Sequence, residues 1–114
     1  MTDATDVFFT GLAERGHEPL LRGASGVLRF DLRDGGRIEH WRVTVKRGVI
    51  EVSRGDEAAD VVVAADRSVF SAIASGEANA TAAILRGAAV ATGDTDLMVR
   101  FQRIFPGPPR QPVA

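Results

Sequence analysis

The sequence has no cysteine and no tyrosine, and only one tryptophan, one lysine and two histidines among its 114 residues. Without cysteine there is no disulfide framework, no thiolate nucleophile and no cysteine metal site. His17 and His40 are the only side chains whose ordinary pKa lies near neutrality. The longest apolar run, Val61 to Ala65, is far short of the roughly 20 residues that span a bilayer. No excess of either charge exists: 14 basic residues stand against 15 acidic ones, a formal net charge of −1. Nothing electrostatic therefore recommends a nucleic acid or an anionic membrane as partner, and no stable membrane insertion is expected. The first residues, MTDATDVFFTGLAERG, are acidic ahead of a short apolar patch and do not read as a signal peptide. A cytoplasmic location is the expectation.

What is present is ordinary for a globular chain: 45% hydrophobic and 25% charged residues. The length predicts one domain over 1–105, large enough for its own core. Residues 106–114 carry four of the five prolines and predict an extended or disordered tail.

Periodicity divides the chain into elements. Phe8 and Leu12 share a helical face between Asp6 and Arg15, with Gly16 as the stop. Pro19 opens a further helical turn. From Gly26 the period becomes two: Leu28, Phe30 and Leu32, then Trp41, Val43 and Val45, then Ile50 and Val52 fall on one side of three strands. Asp34-Gly35-Gly36 and Lys46-Arg47-Gly48 supply the turns between them. This is an antiparallel meander with one apolar and one polar face. After the polar connection Arg54–Asp60, the run Val61–Ala65 does not alternate in polarity and predicts a strand buried on both faces. Asp66 predicts an N-cap for a helix carrying Val69, Phe70, Ile73 and Ala74.

The stretch GEANATAAILRGAAVATGD, Gly76 to Asp94, is rich in glycine and alanine. Its glycines lack the spacings of phosphate-binding loops and instead separate elements. Asn79 caps a short helix, Gly87 stops it, a strand follows, and Asp94 caps a final helix extending to Phe105. The order is α-β-β-β-(crossover)-β-α-α-β-α.

Catalytic candidates are few. His17 lies just past a helix stop and His40 on the polar face of a strand. Ser25 is a loop residue outside any G-x-S-x-G context. Asp94 and Asp96 are explained by capping and by the helix dipole, while Asp56, Glu57 and Asp60 lack a calcium-loop pattern. No catalytic residue, metal ligand or cofactor is assigned, and the chain is not expected to be an enzyme. Its abundant feature is apolar surface on two layers. The sheet contributes Phe30, Trp41, Val43, Ile50 and Val52. The helices contribute Phe70, Ile73, Ile84, Leu97, Phe101 and Phe105. The layers must face each other, either as a close-packed core or far enough apart to admit an apolar guest, and the pattern alone leaves both open.

The run VLRFDL, the Trp41–Val52 segment, and the stretch from Ala59 through FQRIFPGPP together resemble the type-2 sterol carrier protein (sterol-binding domain) family. The resemblance extends from about Val7 to Pro109 and centres on Gly76–Asp94. It implies a five-stranded mixed sheet covered on one face by helices, with a hydrophobic tunnel between. The eleven apolar residues named above become, by analogy, its lining. The implied function is non-catalytic binding or transfer of an apolar lipid such as a sterol or fatty acid. The rival reading is a lipid-free accessory or dimerisation module with a filled core, docking a second copy or another protein. The chain ends Pro112-Val113-Ala114, which is no peroxisomal address. Thirteen arginines against one lysine suggest a stand-alone bacterial member.

Overall fold

The computed structural model describes residues 3–105. Five strands form one mixed sheet in the order β3-β2-β1-β4-β5. Strands β1 (Ser25–Asp34), β2 (Arg37–Lys46) and β3 (Val49–Arg54) make the expected antiparallel meander. Strand β4 (Val61–Asp66) crosses to the far side of β1 and pairs with it in parallel, from Leu28 opposite Val61 to Arg33 opposite Asp66. Strand β5 (Ala89–Gly93) closes that side antiparallel to β4. The helices are α1 (Ala4–Arg15), α2 (Arg67–Ser75), α3 (Ala80–Leu85) and α4 (Thr95–Gln102), with a 3-10 turn at Pro19–Leu21. The expected proline-rich tail, 106–114, lies outside the described residues.

The period-two pattern places the core as expected. Leu28, Phe30, Leu32, Val43, Val45 and Ile50 are buried on the helical face of the sheet. Strand β4 corrects the expectation of a strand buried on both faces. Val61, Val63 and Ala65 are buried, whereas Val62 is half-buried and Ala64 exposed. Helices cover only one side, so a strand written almost wholly in apolar letters still has an open face.

The polar face of the meander has a structural task. The crossover between β3 and β4 runs across β2 and β1, and their outward side chains hold its backbone. Arg29 Nη1 donates to the carbonyls of Asp56 and Glu57 at 3.0 and 3.1 Å, and Arg42 Nη2 to that of Ala58 at 3.3 Å. Asp60 ends the crossover by accepting from the Val27 N–H at 2.8 Å while its own N–H donates to the Val27 carbonyl. Where β5 ends, Gly93 has φ +109 and a Cβ there would overlap the Asp60 carbonyl oxygen, so only glycine fits.

Two helix boundaries and one cap differ from expectation. Helix α1 begins at Ala4, because the Asp3 carboxylate caps it by accepting from the Asp6 N–H at 3.1 Å. Asp66 occupies the N-cap position of α2 but caps nothing; its carboxylate accepts from Arg33 instead, at 3.1 Å. Helix α4 stops at Gln102 rather than Phe105, its last turns tightening to i→i−3 hydrogen bonds at Arg103, Ile104 and Phe105. The residue before a proline disfavours the α conformation, and Pro106 follows.

Candidate functional site

Between the layers, every phenylalanine and the single tryptophan meet in one cluster. Phe9 of α1 stacks on Trp41 with centroids 4.4 Å apart and on Phe70 at 5.4 Å. Phe30 meets Phe9, Phe70 and Phe101 at about the same separation, and Phe8 joins Phe105 to the group at 5.0 Å. These are the offset and edge-on separations at which aromatic rings attract, here close-packed.

The eleven residues expected to line a tunnel divide between two packed clusters. Phe30, Trp41, Phe70, Phe101 and Phe105 belong to the aromatic cluster, and Val43, Ile50, Val52 and Leu97 pack into the same core. Ile73 sits in a smaller cluster with Ala65, Ala83 and Ala89, where alanine lets α3 approach the sheet closely. Only Ile84 also borders an open cavity.

That cavity, of about 280 Å³, lies at the β5 side of the molecule, away from the centre of the aromatic cluster. Helix α3 contributes Thr81, Ile84 and Leu85; β5 contributes Ala91, Thr92 and Gly93. Asp94 and α4 supply the opposite wall, with Thr95, Met98, Val99 and Gln102, and Val61 of β4 completes it. Ala91 leaves the sheet edge short of bulk beside Met98. Leu85 at the cavity is 82% exposed and Val99 43%, an unusual display of aliphatic surface. Thr81, Leu85, Met98 and Val99 were missed in the sequence because no period marks them as sharing a hollow.

The polar candidates are accounted for elsewhere. Nδ1 of His40 lies 2.7 Å from Asp31 Oδ1, and Asp31 also receives a paired hydrogen bond from Arg29 at 2.9 and 3.0 Å. Burial pushes the Asp31 carboxyl up, but the hydrogen bonds and charges of Arg29 and His40 outweigh it and hold it below the ordinary value. His17 is exposed and makes an isolated β-bridge with Val49. Neither histidine borders the apolar cavity. Larger hollows are charged surface clefts, one of about 610 Å³ between Arg37, Glu39, Arg54 and Asp56.

A family model described as the SCP-2 sterol transfer family matches residues 8–106. The chain belongs to this family. Among solved structures similar to this SCP-2 family chain is sterol carrier protein 2 of Aedes aegypti in complex with palmitate. It is 22% identical, with a TM-score of 0.72 over 90% of this chain and 94% of that one. Sterol carrier protein 2 of Yarrowia lipolytica, in its apo form, is 17% identical with a TM-score of 0.71, covering 90% and 92%. The sec-alkylsulfatase Pisa1 of a Pseudomonas species is also similar, 23% identical with a TM-score of 0.70; the match covers 92% of this chain but 16% of the enzyme. At these identities the shared property is the fold. Comparison with curated proteins finds no match. Among the described residues of this family member, no helix is long and apolar enough to cross a membrane.

Proposed function

We propose that this SCP-2 family protein binds one apolar lipid without covalent chemistry, in the cavity between α3, β5 and α4, and releases it unchanged. The observation that carries this reading is the cavity itself: an open, largely aliphatic hollow lined by Ile84, Leu85, Met98 and Val99 in a chain whose core is otherwise closed. Membership of a sterol transfer family supports it, as does the complex of a structurally similar sterol carrier protein 2 with palmitate. At about 30 Å³ per water-sized group, the space holds about nine methylenes. Burying them contributes about 7 kcal/mol before the costs of association, enough for reversible binding without a salt bridge. A sterol, about three times that size, enters only if α3 and α4 part. Of the eleven residues read from the sequence as lining, Ile84 makes the contact and the other ten pack in the core between sheet and helices.

The test is native mass spectrometry of the purified protein followed by lipid extraction, repeated on Ile84→Trp. Wild type should carry or take up one lipid per chain. The variant should lose it while melting within about 1.5 kcal/mol of wild type, because the indole fills an existing space. A variant that binds normally would place the lipid elsewhere.

The second reading is a lipid-free accessory module. The closed aromatic cluster favours it, as does the occurrence of the fold as a minor part of a sulfatase chain. A clean apo mass that stays unchanged after incubation with sterols and fatty acids would decide for it.

A further inference from the structure

The cavity combines aliphatic walls with one ionisable side chain, and that side chain is an acid. No arginine, lysine or histidine lines it; Asp94 does, next to Thr95, while the Thr92 hydroxyl is directed at the Val62 carbonyl at 3.5 Å. Asp94 Oδ1 caps α4 by accepting from the Leu97 N–H at 3.2 Å. The positive end of the helix, which would otherwise attract an anion, is therefore already satisfied by a carboxylate. Oδ2 accepts no hydrogen bond and meets no cation among the described residues. Nearby charges do not reverse this: Arg100 is held by Asp96 at 3.0 Å, and Arg86 and Arg103 lie outside the lining.

We infer that the cavity selects an apolar ligand whose head donates a hydrogen bond and carries no negative charge, an alcohol of about ten carbons, and discriminates against carboxylates. This rests on the cavity being the lipid site. The hydroxyl of an alcohol donates to Asp94 Oδ2, beside Thr95. A carboxylate head meets a like charge at the same place and offers no proton to share. The tail lies along Ile84 and Met98, and any excess length rests on the exposed Leu85 and Val99.

Binding of 1-decanol and of decanoate at pH 7 is measured by NMR titration of the backbone amides, below the concentration at which either probe self-associates. Wild type should bind decanol at least tenfold tighter than decanoate, with shifts at residues 91–99. In Asp94→Asn the decanol-to-decanoate ratio should fall at least fivefold. Asparagine caps helices as well as aspartate, so the fold is kept; Asp94→Ser, also a cap and uncharged, should reproduce the change. Equal binding of the two probes by wild type, or tighter binding of decanoate, overturns the preference and leaves lipid binding intact. A ratio unchanged in both variants overturns the role of Asp94. Failure of both probes to bind overturns the lipid site and the preference together.

Discussion

Arg67 pairs with three carboxylates. It donates twice to Asp3, at 2.9 Å each, pairs with Asp6 at 3.1 Å and bonds Glu39, tying the start of α1 to β2 and to the first turn of α2. The hydrogen bond from Arg67 is the main reason the Asp3 carboxyl is held below its ordinary value, against a smaller opposing effect of burial. A depressed carboxyl contributes stability that is present above its unfolded pKa of about 3.9 and is lost as pH falls through the folded value. Asp31, depressed by Arg29 and His40, acts in the same direction. Stability should therefore hold between neutrality and about pH 5 as far as these groups are concerned, and decline below about pH 4. Arg67→Gln should lower the plateau by about 1.5–3 kcal/mol and make the acid decline shallower, as read from urea melts across that range. An acid decline as steep as in wild type would exclude the Arg67 clamp as its source.

Among the elements, the two short helices that flank β5 are each capped by a side chain at their N-terminus. Asn79 caps α3 by accepting from Ala82 N–H at 3.0 Å, and Asp94 caps α4. At six and eight residues these helices are too short to persist alone, so caps weigh heavily in the walls of the cavity. Asp66 offers the contrast, a residue in cap position without a cap bond, whose pair with Arg33 is exposed on both sides. Asp94→Ala should cost about 1 kcal/mol. Asp66→Ala should cost less, within the range of about 0–1 kcal/mol typical of exposed ion pairs. Paired chemical denaturation of the two variants measures the difference, and an equal or larger loss at Asp66 would contradict the assignment.

On the scale of the whole molecule, the two halves of the helix layer do different work. Over β1–β3, the aromatic cluster is closed, and Phe9 at its centre is fully buried between Trp41 and Phe70. Over β5, where Ala91 stands in place of a larger side chain on the helical face, the cavity opens. Phe9→Ala should thus cost about 3–5 kcal/mol, visible as a large drop in melting temperature, since nothing nearby can fill the space. A loss under about 1 kcal/mol would mean that the cluster is itself loose enough to admit a guest.

The sequence by itself determined the element order, the apolar face of the meander and the caps at Asn79 and Asp94, because these depend on period and on neighbours one turn away. The family, too, was legible in the residues from Val7 to Pro109. The position of β4 beside β1 and its parallel pairing came from tertiary structure, since that placement requires a crossover that leaves no local period. The same holds for the open face of β4, where six letters that look buried on both sides meet helices on only one. It holds most of all for the cavity. Large apolar residues such as Phe30, Phe70 and Phe101 announce a core, but whether they leave space depends on how their volumes fit together. Here they fit closely, and the hollow formed instead where small residues from β5 face Met98 and Ile84, a complementarity of volumes between distant segments.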